Sequence, residues 1–302
     1  MSNISISEEL LSLGAKLSMD EPMKLHTSFR IGGAADIWCE ARDIKILSDV
    51  IKTCKARGIP YFVIGQGTNL LVSDKGIRGV VIKLCGDFDE IEALGENRIR
   101  CGAGATLAAV CRFAQANSLG GLEFAWGIPG SVGGGVYMNA GAYGGEIKDV
   151  VQTTRYLDDE GNICGISGKK HDFAHRRSFF TDKNFVILDT VMELYPRNKN
   201  EIFFVMQDTM EKRKAKQPLN RPSAGSVFKR PDGFYAAALI EQCGLKGSSV
   251  GDAQVSEKHS GFIVNNGKAS AEDVKELIRR VQQCVKEKTG VELECEVKFV
   301  GE

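Results

Sequence analysis

Nowhere in the 302 residues do 18 apolar residues run together, so no membrane-spanning helix is expected. Net charge is missing too, since 39 basic residues balance 39 acidic ones. That balance argues against a nucleic-acid binder that works by neutralising phosphates. The nine cysteines include no C-x-x-C pair, and zinc-ligand spacing is absent. Unpaired thiols among apolar neighbours, such as Cys54, Cys111 and Cys284, suit a reduced cytoplasmic protein. Met1 to Lys16 carries Glu8 and Glu9 and no basic start before an apolar block, so it does not read as a signal peptide. No internal repeat, low-complexity tract or coiled coil is visible, which leaves a monomer as the default. The 43% hydrophobic content is enough to fill the core of one large domain or two to three small ones.

Glycine is the residue in excess, and it is concentrated. Nine of the 25 positions from Gly121 to Gly145 are glycine. Flexible linkers are Gly/Ser-rich and polar, but this run also holds Phe124, Trp126, Ile128, Val132, Val136, Tyr137 and Met138. Glycine among residues of the buried type implies ordered backbone drawn close to a ligand. Ile128-Pro129-Gly130 sets a turn, Gly133-Gly134-Gly135 follows Ser131, and a helix is expected to begin at Val136 to Met138. N–H groups gathered at such a helix start form an anion site. The stretch therefore reads as a phosphate or dinucleotide cradle.

Around it, helix-spaced and strand-spaced patterns mix in the manner of an α+β protein. A short helix is expected over residues 4–17, a loop over 22–33 and a strand over 34–40. Ile44, Leu47, Ile51 and Cys54 mark a helix, and Tyr61 to Ile64 and Val80 to Leu84 mark strands. Further on come a strand at 99–101, a helix at 106–117 and strands at 150–157, 162–167 and 185–194. Tyr195-Pro196-Arg197-Asn198 reads as a boundary. Beyond it lie a helix striped by Ile202, Val205, Met206 and Met210, a helix at 236–243, and a strand at 262–264. Ser270 and Asp273 resemble a capping box for a long helix. The last strand is expected at 297–300.

Gly65-Gln66-Gly67-Thr68-Asn69-Leu70 and Gly102-Ala103-Gly104-Ala105-Thr106-Leu107 both begin like G-x-G-x-x-G and both lack the third glycine. Neither is a Rossmann site. The first remains a candidate tight turn for a pyrophosphate. Three other features are weak singly: Arg176-Arg177-Ser178, a hydroxyl at Ser226 after Gly225, and Glu294 with Glu296 on one side of a terminal strand.

Together these stretches resemble the UDP-N-acetylenolpyruvoylglucosamine reductase family over the whole chain. The resemblance runs from Thr27-Ser28-Phe29-Arg30-Ile31-Gly32-Gly33 through Gly65-x-Gly67-Thr68-Asn69-Leu70-Leu71-Val72, Gly127-Ile128-Pro129-Gly130-Ser131-Val132-Gly133-Gly134 and Met138-Asn139-Ala140-Gly141-Ala142-Tyr143-Gly144. It continues in Arg176-x-Ser178-x-Phe180, Ala224-Gly225-Ser226-x-Phe228-Lys229, Gly251-Asp252-Ala253 and Leu293-Glu294-Cys295-Glu296-Val297. It implies a vanillyl-alcohol-oxidase/PCMH-like FAD-binding fold of two subdomains, about residues 1–85 and 86–198. A C-terminal α+β substrate-binding domain, 199–302, would follow. Two departures stand out. His175 replaces the tyrosine that many relatives have before the arginine, and the segment from Arg176 to Ser226 is short, as in the branch without a tyrosine-bearing substrate loop.

The resemblance implies NADPH and non-covalent FAD as cofactors and UDP-N-acetylglucosamine enolpyruvate as the small-molecule substrate, in cell-wall synthesis. NADPH would reduce FAD, and flavin N5 would then pass hydride to the terminal enolpyruvyl carbon. Arg176, Ser226 and Glu296 would be catalytic: Arg176 gripping the carboxylate, Glu296 polarising it, and Ser226 protonating the carbon that bears it. Gly65, Gln66, Gly67, Thr68, Asn69, Leu70, Gly130, Ser131, Gly133, Gly134, Asn139, Ala140 and Gly141 would hold FAD. Arg213, Lys216 and Lys229 are candidate substrate contacts, and Lys216 or Lys229 would polarise Ser226; the alternative for the 213–216 cluster is a solvated helix end. Competing readings are an alcohol-oxidising flavoenzyme of the same fold and a nucleotide-binding regulatory module.

Overall fold

Polar caps and glycines decide where the elements begin and end. The structure, a computed structural model, describes residues 3–302, so Met1 and Ser2 of the N-terminal reading lie outside it. Helix α1 spans Asn3–Ser12. It stops short of the expected residue 17 because Gly14 takes φ +86, and a strand, Lys16–Pro22, starts there instead. Asp43 accepts the N–H of Ile46 and opens α2 (Ile44–Ala56), which buries Leu47, Val50, Ile51 and Cys54. Thr106 caps α3 (Leu107–Ala116) in the same way through Ala109.

By compactness the chain forms two units, and each has a core of its own. The first takes residues up to Met19, Ile37–Gln66 and Gly79–Lys212. Here Tyr61–Ile64 lies parallel to Ile77–Leu84 within a four-stranded sheet. A five-stranded antiparallel sheet runs in the order Ile163–Ser167, Val151–Leu157, Val186–Glu193, Arg98–Gly102, Ile91–Gly95. Ile37, Val50, Ile82, Leu107, Val136 and Leu188 belong to its core. Tyr195-Pro196 is no boundary: it pairs with Gly120 and Leu119, and the unit continues to Lys212.

The glycine triplet also departs from expectation. Gly133, Gly134 and Gly135 lie inside helix α4 (Val132–Tyr137), which ends where a helix was expected to start. Close packing is the reason. A Cβ on Gly133 would stand 3.0 Å from that of Ala103, and one on Gly135 would stand 3.4 Å from Leu107.

The second unit gathers Asp20–Asp36, Gly67–Arg78 and Arg213–Glu302. Phe29, Leu71, Val227, Ile240, Val274 and Val281 are in its core. Helix α5 (Lys199–Lys216) carries the chain across the division at Lys212. It is followed by α6 (Ala236–Gln242) and α7 (Ala271–Thr289). The capping box at Ser270 and Asp273 is fully formed, and the carboxylate of Asp74 also accepts the N–H groups of Ala271 and Glu272 at 2.8 and 3.2 Å. Three orphan donors at the start of α7 are thus satisfied by side chains far apart in sequence. Leu70–Val72 pairs in parallel with Lys298–Val300. Ser249–Val250, Ala253–Val255 and Ile263–Asn265 form a small antiparallel sheet. No helix among the described residues is long and apolar enough to cross a membrane.

Candidate functional site

Three glycine-bearing segments, far apart in sequence, meet in the first unit. Gly65 ends the Tyr61–Ile64 strand, and a Cβ there would stand 2.6 Å from Ser131 Oγ. Ser131 is buried and caps α4, its Oγ accepting the N–H of Gly134 at 3.3 Å. The third segment is Gly102 to Thr106, rejected above as a Rossmann site. Its carbonyls at Ala103 and Ala105 accept the N–H groups of Gly133 and Val132 at 2.9 and 2.8 Å. Gly130 accepts from Leu107 at 3.0 Å. The expected anion site at the start of α4 is therefore corrected: the N–H groups of Val132, Gly133 and Gly134 are engaged within the protein. These glycines act by close approach, and Gly134, exposed, leaves bare backbone at the surface of α4.

Gln66 follows Gly65 as the last residue of the first unit, half-buried; Gly67, Thr68, Asn69 and Leu70 belong to the second. Gly67 takes φ +60 and its carbonyl accepts the N–H of Ser28 at 3.2 Å. Ser28 Oγ donates to Ser223 at 2.7 Å and faces the Thr68 carbonyl at 3.4 Å. Asn69 Nδ2 donates to the carbonyl of Glu296 at 3.1 Å, and Leu70 pairs with Lys298. A candidate cofactor turn and a candidate catalytic residue are thus adjacent through their backbones.

Around Ser226 the second unit brings two strands of sequence together. Ser226 bridges to Phe262, and the Val227 N–H donates to Gly261 at 2.9 Å. On the other side the Glu296 N–H donates to Val227 at 2.7 Å and the Lys229 N–H to Glu294 at 2.8 Å. Residues 227–229 and 294–296 therefore run antiparallel. The expected terminal strand itself begins later, at Lys298. Ser226 is exposed and Glu296 half-buried. Lys229 Nζ is paired with Glu294, which satisfies its charge locally. Lys216 is exposed at the end of α5, whereas Arg213 is buried at 7% exposure, so a solvated helix end does not describe it.

Arg176 lies in the first unit, on a loop in which Ala174 and Arg177 pair across a tight turn. Its Nη2 donates to the Gly141 carbonyl at 3.3 Å. Asn139, also expected at the cofactor, is wholly buried with its side chain bonded within the protein, and Ala140 leads from it to Gly141. His175 is exposed beside the arginine.

Whether these residues suit a flavin cofactor can be judged from one orphaned atom. Trp126 lies in the glycine stretch, and its Nε1 is buried with no hydrogen-bond partner among the described residues. An unsatisfied buried donor costs about 1–3 kcal/mol, which a bound acceptor would offset. An unpartnered buried donor within a glycine-rich stretch fits a planar, acceptor-rich ring system. No group of three or more His, Cys, Asp or Glu placed to hold a metal occurs among the described residues. Sequence reasoning missed Lys83, whose ammonium donates to the Gly65 carbonyl at 2.6 Å. Burial lowers its pKa, while the charges of Asp89 and Cys85 act to raise it. The signal was there: a lysine interrupts the apolar run Val80-Val81-Ile82-Lys83-Leu84.

Known proteins resemble this chain over most of its length. The family model described as FAD binding domain matches residues 35–167. The model described as UDP-N-acetylenolpyruvoylglucosamine reductase, C-terminal domain, matches residues 217–300. The UDP-N-acetylenolpyruvoylglucosamine reductase of Agathobacter rectalis is 50% identical, covering 99% of this chain and 98% of the relative. That of Clostridioides difficile is 46% identical, with 100% of each chain covered. The crystal structure of the same-named reductase from Thermus caldophilus is 35% identical, covers 95% of this chain and 98% of its own, and superposes with a TM-score of 0.81. A berberine bridge enzyme variant at 18% identity covers 63% of this chain and 43% of its own with a TM-score of 0.50, a likeness of fold alone.

Proposed function

The chain belongs to the UDP-N-acetylenolpyruvoylglucosamine reductase family, and on that premise we propose that it uses FAD and NADPH to reduce UDP-N-acetylglucosamine enolpyruvate to UDP-N-acetylmuramate for peptidoglycan synthesis. The observation that carries this reading is the antiparallel register joining Val227 to Glu296, which sets Ser226 and Glu296 on neighbouring strands of one unit.

Bound FAD supplies the hydride chemistry. The balance is simple: NADPH gives up a hydride and becomes NADP+, and the enolpyruvyl double bond gains one hydride and one proton. Hydride at the terminal carbon leaves negative charge on the carbon beside the carboxylate. Arg176 offers a permanent charge and a two-pronged donor to the carboxylate. Glu296 polarises the same group. Ser226 Oγ supplies the proton to the carbon that bears it. Lys229, paired with Glu294, is the weaker of the two lysines proposed to polarise Ser226, which favours Lys216.

Gly65, Gln66, Gly67, Thr68, Asn69, Leu70, Gly130, Ser131, Gly133, Gly134, Ala140 and Gly141 are proposed to serve the cofactor by backbone, and Trp126 and Lys83 are proposed as further cofactor residues. Asn139 acts there through the loops it ties together. Residues 1–198 would serve FAD and 199–302 the sugar nucleotide, with Arg213 and Lys216 on the substrate. This divides labour, not compactness, since Gly67–Arg78 is built into the unit that holds Ser226. A cytoplasmic monomer acting on small molecules, with no nucleic-acid or membrane partner, completes the reading.

The test is an anaerobic visible spectrum of the purified protein. A flavin band that bleaches with NADPH and returns on adding the enolpyruvyl sugar nucleotide is the expected result. Bleaching without return would reject this substrate, and no flavin band after reconstitution would reject the cofactor.

A further inference from the structure

The loop that carries Arg176 is stitched to the end of α4 and the loop after it at three points. Ser178 Oγ donates to the Tyr137 carbonyl at 2.8 Å. Arg176 Nη2 donates to Gly141 at 3.3 Å. Between them, Asn139 Nδ2 donates to the Ala174 carbonyl at 3.0 Å. The same Nδ2 donates to Glu146 Oε2 at 3.1 Å, and Asn139 Oδ1 accepts the N–H of Lys148 at 3.0 Å. A buried amide with donors and acceptor all engaged admits no isosteric carboxylate, which would turn acceptor against acceptor. Both Asn139 and Arg176 hold left-handed backbone, at φ +44 and +55. Side-chain-bearing residues persist there only where their surroundings over-determine them.

Glu146 closes the arrangement. Its carboxylate is 2.5 Å from Lys148 Nζ. Burial works against its charge, but the hydrogen bonds of Lys148 and Asn139 and the charges of Lys148 and Arg176 hold its carboxyl below the usual range. The carboxylate thus meets a buried amide and Lys148, and Glu146 pairs across from Gly141, whose carbonyl accepts from the Arg176 guanidinium.

We propose that Asn139 and Glu146 are positioning residues for Arg176: Asn139 fixes the backbone of its loop, and Glu146 holds both the Asn139 amide and the Gly141 strand to which the guanidinium donates. The proposal rests on the carboxylate-gripping role given to Arg176. Neither residue touches the reacting atoms.

A double-mutant cycle on the holoenzyme tests this. Glu146→Gln is expected to slow flavin reoxidation by the enolpyruvyl substrate about tenfold, within the range of couplings between residues of one hydrogen-bond network. Flavin content and the rate of reduction by NADPH should stay unchanged. In an Arg176→Ala background, Glu146→Gln should have no further effect on reoxidation. The same tenfold loss in both backgrounds, or an equal loss in both half-reactions, overturns the positioning role. If Arg176→Ala leaves reoxidation intact, the reading of Arg176 fails and the proposal falls with it, an outcome distinct from the other two. Should Glu146→Gln fail to fold, Glu146→Asp serves: it keeps the charge, shortens the reach, and is expected to give an intermediate loss confined to reoxidation.

Discussion

The main-chain N–H of Glu296 donates to the carbonyl of Val227 at 2.7 Å, although 69 residues of chain separate them. That bond sets a strand carrying a carboxylate next to one beginning at a hydroxyl, and it makes the role of Ser226 open to a clean experiment. Ser226 is exposed and its backbone is held by Phe262, so removing the Oγ should leave the fold intact. Ser226→Ala is expected to slow flavin reoxidation by about 10²–10⁴-fold, the scale of a lost general acid. Reduction by NADPH should be near normal. Stopped-flow absorbance of the two half-reactions reads both, and equal damage to each would reject the assignment.

Two glycines of the 65–69 turn should respond unequally to a methyl group. At Gly65 the new Cβ would press on Ser131 Oγ at 2.6 Å, and a hydroxyl can rotate away. The loss would then be mainly the cap of α4, about 1 kcal/mol. At Gly67 the Cβ would sit 2.0 Å from the backbone oxygen of His26, with φ at +60, so the backbone itself must move. Gly67→Ala should lower the melting temperature more than Gly65→Ala and should also weaken FAD binding in a fluorescence titration. The opposite order would mean that the turn is free to shift.

Stability should also fall with acidification through the buried imidazole of His171, with His259, whose pKa is likewise lowered by burial, acting in the same direction. His171 is fully buried, with Nδ1 at 3.0 Å from the Gly168 carbonyl and Nε2 at 2.9 Å from Thr154 Oγ1. Burial depresses its pKa, with the Gly168 bond acting the other way. A folded pKa below the unfolded value means that the unfolded chain binds the proton first. The stabilisation is therefore complete above the unfolded pKa of about 6.5 and is lost as pH falls below it. Denaturant midpoints from pH 8 to pH 5 should decline, and His171→Gln should flatten that decline. An unchanged slope in the variant would assign the effect to other groups.

Much of the fold was legible because it depends on local pattern. The helix over 44–56, the strand over 61–64 and the capping box at Ser270 all follow from residues within a few positions of one another. The misses have a common cause. Gly133, Gly134 and Gly135 look like a loop by propensity, yet tertiary packing against Ala103 and Leu107 makes them a helix. Tyr195-Pro196 looks like a break, yet it finds a partner 75 residues upstream, at Gly120.

The amino-acid order by itself determined which residue types are on offer: an arginine, a serine and a glutamate in settings that resemble the family's, and glycine where backbone must come close. Tertiary structure alone decided how those groups are held. It placed Gly65 against Ser131 and tied the Arg176 loop to Asn139. It engaged the helix-start N–H groups with the carbonyls of Ala103 and Ala105, and it built Gly67–Arg78 into the unit of Ser226. The physical reason is that hydrogen-bond partners and van der Waals neighbours are set by distance in space. Side-chain periodicity reports only on neighbours along the chain.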